Sequence, residues 1–385
     1  MSENFKQRKM YLFLLVLVVG SGIAFQGWRT LLNNFAVEVG GLSGFDMGII
    51  QSVREVPGFL ALLALYVILI IREHRLAALS VVLLGLGVAL TGFFPSTVGL
   101  VATTLLMSFG FHYFETMNQS LTLQYFSYTE APVVLGRLRS YAALTNVAVG
   151  GAIFLLARFL GFTSLFALFG ALAICAGLWA FKQDPSAPDM PPQSKKMRIY
   201  RRYWLYYLLT FMGGARRQIF VAFAVFLLVE KFGYSIVDVT VLFVINNVLN
   251  YFANPLIGRA VNRYGEQAVL VVEYVTLTFV FLGYALTDSA WVAGALYVVD
   301  NIVFNFSMAI KTFYQKIAKG EDIASGMAVG FTINHVAAVV IPAAGGLAWI
   351  ADYRAVFYGA VALSLISLAL TFFIPGQLAR KGAKA

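Results

Sequence analysis

The chain has 385 residues, 60% of them hydrophobic and 12% charged, with a mean hydropathy of +0.80. Soluble domains carry about 25% charged residues, so a soluble fold is excluded and a multi-spanning membrane protein is the class that fits. The net charge of +10 would suggest nucleic acid in a soluble protein; here it is explained by the basic loops that face the inner side of a membrane.

At ~20 residues per span, the chain accommodates about twelve helices. Its long unbroken apolar runs lack the alternation of a membrane β-barrel. They predict helices over 10–38, 46–71, 76–94, 97–127, 133–160, 163–182, 203–230, 237–257, 266–287, 290–317, 322–350 and 354–375. The expected fold class is therefore all-α, with twelve transmembrane helices. The first span follows Lys6, Arg8 and Lys9. It is too long, and too polar at its end, for a cleaved signal peptide.

The longest polar stretch runs from Lys182 to Arg202 and holds Pro185, Pro188, Pro191 and Pro192 ahead of Lys195, Lys196, Arg198, Arg201 and Arg202. Its proline density predicts an extended linker. This gives an N-terminal six-helix bundle (1–182), a cytosolic linker (183–202) and a C-terminal six-helix bundle (203–385). With the N-terminus placed inside and the sides alternating, the inside segments carry twenty basic residues. They are Lys6, Arg8, Lys9, Arg72, Arg75, Arg137, Arg139, Lys182, the five of the linker, Arg259, Arg263, Lys316, Lys319, Arg380, Lys381 and Lys384. The outside segments carry only Arg158, Lys231 and Arg354. That asymmetry predicts an inner-membrane protein with both termini in the cytosol.

Five basic residues fall inside the apolar helices: Arg29, Arg54, Arg216, Arg217 and Lys311. Charge in hydrocarbon is costly, so such residues face polar cavities and commonly serve function. Arg29 and Arg217 stand 188 residues apart, and in each case Phe-Ala-Val begins six residues later, at Phe35 and Phe223. Asn146 and Asn334 keep the same offset. Ser43-Gly44-Phe45-Asp46 and Ser235-Ile236-Val237-Asp238 correspond at an offset of 192. Parallel repeats of this kind are a mark of transporters whose substrate site lies between two halves.

Gly258-Arg259-Ala260-Val261-Asn262-Arg263-Tyr264-Gly265 resembles the loop signature of the major facilitator superfamily, Gly-x-x-x-Asp-Arg-x-Gly followed by basic residues. Asn262 stands for the usual Asp, and Glu266-Gln267 for the basic residues. The equivalent stretch of the first half, Ile71-Arg72-Glu73-His74-Arg75, is truncated. Together with the helix count, linker and loop charges, the resemblance implies two pseudo-symmetric six-helix bundles around a cavity opened alternately to each side. Helices one, four, seven and ten would line that cavity; three, six, nine and twelve would face lipid. More narrowly, Arg29 and Arg217 look like the paired arginines of the family's organophosphate/phosphate antiporters.

Within the helices, Gly22, Gln26, Arg29 and Asn33 fall on one polar stripe. A guanidinium offers a planar fork suited to phosphate or carboxylate. Arg29 and Arg217 are thus expected to bind the substrate's negative group, with Gln26, Asn33, Lys311, Asn246 and Asn250 binding the rest. Glu115, Asp300, His112 and His335 are the candidates for carrying a coupling proton. His112, Glu115, Gln119 and Thr122 share a face of helix four; Asp300, Phe304, Ser307 and Lys311 share one of helix ten. Arg54 and Glu55, beside Pro57, together with Arg259 and Arg263, are expected to act in gating. Each assignment has a structural alternative. The arginines could be neutralised by Glu115, Asp300 or Glu55, the histidines could be hydrogen-bonded fillers, and the asparagines could join helices. Arg216, about 100° round the helix from Arg217, is expected to point between helices. Glu273 is expected on a lipid-facing helix in a structural role.

The single Cys175 excludes a disulfide framework. No Cys/His spacing suggests a metal, no glycine loop suggests a nucleotide, and no catalytic constellation suggests an enzyme. The expected function is secondary transport of a small organic or phosphorylated anion, coupled to protons or to a counter-anion, by a monomer in the lipid bilayer that needs no cofactor. Two rivals remain: an exporter of amphipathic drugs or lipids, which substrate charge would distinguish, and a non-transporting sensor or scaffold, which an appended soluble domain would favour.

Overall fold

The computed structural model describes residues 3–186, 193 and 199–382, and the regular elements among them are all helices. In the first half they are α1 (Glu3–Glu38), α2 (Gly44–Phe59), α3 (Glu73–Thr91), α4 (Thr97–Tyr125), α5 (Ala131–Leu156) and α6 (Phe162–Phe181). The second half begins with α7 (Trp204–Ile219). A single helical run, Ile236–Leu286, then breaks at Gly265 into α8 (236–264) and α9 (266–286). Next come α10 (Ala290–Phe304, resuming at Met308–Ile317), α11 (Ile323–Ala351), α12 (Tyr353–Thr371) and a short α13 (Ile374–Gly382). Of the linker and tail charges expected inside, Lys195, Lys196, Arg198 and Lys384 lie outside the described residues.

The corresponding loop segments of the two halves turn out to be the same capping device. Ser43 caps α2 and Ser235 caps α8. Each serine side chain accepts from the backbone N–H three residues on, at Asp46 and Asp238, and each aspartate side chain accepts the serine's own N–H.

Several helices depart from the expected regular form. The second, expected over 46–71, tightens into a 3-10 turn at Leu60–Leu63 after Pro57. This leaves the Leu62 N–H without a regular α-helical acceptor, and it donates to Thr332 Oγ1 at 3.2 Å. The seventh passes into a π-turn at Phe220–Ala224 before resuming at Val225–Glu230. The tenth is interrupted by a 3-10 turn at Asn305–Ser307.

By contact, the chain forms two units. The first comprises Met1–Phe126, Tyr141–Met197 and Glu321–Thr332; the second comprises Ser127–Ser140, Arg198–Gly320 and Ile333–Ala385. In the first unit α3 packs against α4 and α6, and α1 against α6. Glycines set the closest approach: a Cβ on Gly85 would lie 2.6 Å from Gly170 O, and one on Gly110 would lie 2.3 Å from Leu84 N. Trp28, Phe35 and Phe166 are fully buried there. The second unit is built on Phe223, Leu227, Leu277, Phe281, Tyr284 and Phe357, from α9, α12 and the helix continuing α7.

The start of α5 belongs to the second unit and lies along α8. Cβ atoms on Gly136 and Gly258 would meet Asn254 O at 2.4 Å and Pro132 O at 2.3 Å respectively, and Ser140 Oγ donates to Tyr251 O. Pro132, Gly136 and Ser140 are four residues apart, so they form the single face that this close seam requires.

Candidate functional site

In the first unit, Arg29 and Asn33 are exposed on α1 while Gln26, between them and the core, is buried and donates to Thr30 Oγ1 at 3.0 Å. The Phe25 ring stacks on Phe111 at 4.1 Å, tying α1 to α4 on the turn that precedes Arg29. On α4, His112 is buried. Its Nδ1 lies 2.9 Å from both the carbonyl oxygen and Oγ of Ser108, and Ser108 Oγ donates to Arg54 O. With Ser108 donating to the carbonyl, Nδ1 is assigned the proton. Arg54 and Glu55 form a half-buried pair at 2.6 Å. Glu115, half-buried, accepts from Gln119 Nε2 at 3.4 Å.

In the second unit, Arg217 is half-buried and directs Nη1 toward Asn334 Oδ1 at 3.5 Å. The helices meet closely at this point: a Cβ on Gly214 would sit 2.7 Å from Asn334 O. Lys311 is half-buried on α10, and His335 is buried on α11. Asn246 is almost fully buried, and its side-chain N and O have no hydrogen-bond partner among the described residues. Asn250 belongs to a chain of amides. It donates to Asn301 Oδ1 at 2.7 Å and accepts from Asn305 Nδ2 at 3.0 Å, while Arg139 Nη1 donates to Asn305 O and Oδ1 at 3.1 and 3.2 Å. Sequence reasoning assigned Arg139 only to the inside rule and passed over Asn301 and Asn305. Their partners lie 51 to 166 residues away, beyond any local pattern.

Arg216 and Asp300 belong to a different cluster. Arg216 is 3% exposed, donates to Ser367 Oγ, places Nη2 3.9 Å from Glu273 Oε1, and lies 4.4 Å above the Tyr274 ring. Glu273, expected on a lipid-facing helix, is instead buried with its carboxylate turned inward to Arg216. The signal for it was a lone carboxylate in an otherwise apolar span. The shared face expected for Asp300 and Lys311 is broken by the 3-10 turn between them, which changes the helical register. Glu73, also passed over, accepts from Ser120 Oγ at 3.1 Å and Gln124 Nε2 at 2.7 Å.

The loop signature is helical almost to its end. Gly258 admits Pro132, Asn262 Nδ2 donates to Thr129 O, and Gly265 reverses the chain at φ 81°. A positive φ of this size favours glycine. Arg259 and Arg263 are exposed and make local contacts, Arg259 Nε to Pro255 O at 3.4 Å and Arg263 over the Tyr264 ring. Glu266, buried, pairs with Lys316 at 2.7 Å.

The family model of the Major Facilitator Superfamily matches residues 14–342. The chain belongs to the Major Facilitator Superfamily. It is therefore a multi-pass membrane transporter rather than an enzyme. Solved members of the superfamily share its fold. The human organic anion transporter MFSD10 aligns with TM-score 0.74 at 15% identity, over 95% of this chain and 99% of that one. The E. coli fucose:proton symporter FucP gives 0.76 at 12%, over 94% and 98%. A bacterial homologue of the iron transporter ferroportin, in its outward-facing state, gives 0.76 at 13%, over 96% and 99%. No curated protein sequence matches the chain significantly.

Proposed function

We propose that this superfamily member carries a small organic or phosphorylated anion across the inner membrane, with both termini in the cytosol. The observation that carries the reading is the repeat-related pair Arg29 and Arg217. Each stays accessible on an apolar helix, whereas the neighbouring Arg216 is buried against Glu273. Arg29 and Arg217 bind the anionic group during the transport cycle. Gln26, Asn33, Lys311, Asn246 and Asn250 contact the remainder. Among the structural relatives, one is named an organic anion transporter and another a fucose:proton symporter. At these identities they support the fold alone, so the charge pattern carries the substrate class.

Two fixed positive charges resist reorienting without an anion, which favours exchange. A proton carried by Glu115, Asp300, His112 or His335 would instead couple the cycle to protons. Proteoliposomes loaded with a panel of carboxylates and phosphate esters test the reading. Uptake of labelled anion is expected, accelerated by internal anion if the protein exchanges and by an imposed pH gradient if it is proton-coupled. Selective uptake of cationic amphiphiles would favour the drug-exporter reading instead.

A further inference from the structure

We propose that the groove between the starts of α8 and α10 is a lipid site, which takes one acyl chain of a membrane phospholipid and holds that lipid's primary-ammonium headgroup at Asp238. Such a site needs only that the chain sits in a membrane and is independent of the anion reading. A cavity of about 610 Å³ opens here, within the ~300–1,000 Å³ range of small-molecule pockets. Its walls include Val241, Leu242 and Ile245 of α8 and Trp291, Ala295 and Val298 of α10, all in the second unit.

Close packing ahead of α8 shapes the groove. Tyr234 OH donates to Ala290 O at 2.9 Å, and a Cβ on Gly294 would collide with that hydroxyl. Glycine at 294 therefore admits the ring, which ties the start of α8 to the start of α10. Ala295 adds little bulk beside it, so the space beyond stays open. Residues 238–245 and 290–298 extend about 10 and 12 Å along their helices at 1.5 Å per residue. That is most of the ~15 Å that one leaflet contributes to a ~30 Å hydrocarbon core. The exposed side chains around the groove are apolar: Val237, Val241, Val244 and Val248 recur every three or four residues on α8, and Trp291 and Ala295 do so on α10. A continuous apolar stripe of this kind suits hydrocarbon and not the path of an anion.

Asp238, which also lines the cavity, supplies the headgroup preference. It is exposed, and its Oδ2 accepts from Ser235 N and Oγ at 2.9 and 2.7 Å. Its counterpart Asp46 uses its other oxygen to accept from Thr97 Oγ1, the first residue of α4, at 3.0 Å. α10 begins instead with Ala290, which has no hydroxyl, and Asp238 forms no ion pair among the described residues. Lys231, the basic residue of the preceding loop, is committed to Asp288, Thr287 O and Tyr353 OH. The carboxylate is thus open to an outside cation. A primary ammonium donates hydrogen bonds to it; a quaternary ammonium brings charge alone, and an anionic headgroup is repelled. Trp291 joins an apolar ring to an N–H donor and suits the same interfacial level.

Photo-crosslinking of the full-length protein in nanodiscs tests the site, with phosphatidylethanolamine bearing a diazirine on one acyl chain and mass spectrometry to map the labelled peptides. Labelling is expected to concentrate on 238–245 and 290–298. Unlabelled phosphatidylethanolamine should compete about two- to fivefold better than phosphatidylcholine or phosphatidylglycerol of the same chains, the range set by one exposed charge pair. Ala295→Phe fills the groove and should remove the labelling there; should that variant fail to fold, Val298→Phe carries the same expectation. Asp238→Asn keeps an oxygen acceptor for the Ser235 N–H but loses the charge, so labelling should persist while the headgroup preference vanishes. Labelling spread evenly over the helices, labelling that survives in a folded filled variant, equal or better competition by the choline or glycerol lipid, or a preference kept by Asp238→Asn overturns the proposal.

Discussion

Arg216 and Arg217 are adjacent on α7 and sit in opposite surroundings: Arg216 is buried with Nη2 3.9 Å from Glu273 Oε1, whereas Arg217 remains accessible and reaches Asn334 Oδ1 at 3.5 Å. One helical step of about 100° is enough to place a guanidinium in a closed cluster or in a half-buried position beside Asn334.

Substitution should therefore divide stability from binding. Arg216→Met strands Glu273 and Asp300 without their nearest cation, and removal of one partner from a buried ion pair costs about 3–5 kcal/mol. The variant should show a clearly lowered midpoint of thermal unfolding in detergent. Arg217→Met should unfold close to the wild-type temperature. Equal losses in the two variants would contradict the assignment of Arg216 to the buried cluster and of Arg217 to a more accessible position.

The seam between α5 and α8 should be intolerant of bulk. A side chain at Gly258 would collide with Pro132 O, so Gly258→Val should destabilise by about 1–3 kcal/mol, the usual cost of overpacking. Asn262→Asp restores the family's more common residue but replaces the donor facing Thr129 O with an acceptor. It should cost about 1 kcal/mol, because a lost hydrogen bond is compounded by two oxygens facing each other. Urea or thermal unfolding of both variants checks the pair, and a stabilised Asn262→Asp protein would count against this role.

The features legible in the sequence were those that depend on nearby residues or on long apolar runs. The capping serines Ser43 and Ser235 announce themselves by an aspartate three residues on. Gly265 announces a reversal, and the repeat of Arg29 at Arg217 shows as a constant offset. What escaped depends on helix rotation and on distant partners. Glu273 turns inward because Arg216 lies across from it, which no helical periodicity reveals. Asn301 and Asn305 matter through Asn250 and Arg139. The π-turn after Arg217 has no counterpart in the continuous α1, although Phe35-Ala36-Val37 and Phe223-Ala224-Val225 match letter for letter.

The proposed orientation is checked by cysteine labelling in a Cys175→Ser background. Gln183, just past α6, and Ser289, before α10, are both exposed. With the termini in the cytosol, a cysteine at Ser289 should react with an impermeant thiol reagent added to intact cells. One at Gln183 should react only after the membrane is opened. The reverse pattern would invert the topology.

Binding of the substrate's anionic group by Arg29 and Arg217 is tested by equilibrium binding of phosphate esters and carboxylates to purified wild-type, Arg29→Lys, Arg29→Gln, Arg217→Lys and Arg217→Gln proteins. A planar guanidinium fork cannot be replaced by a point charge without loss. All four variants should therefore bind the wild type's preferred anion more weakly, with Gln worse than Lys at each position while the unfolding temperature is retained. Wild-type affinity in Arg29→Gln and Arg217→Gln would contradict a role for these arginines in binding the anion.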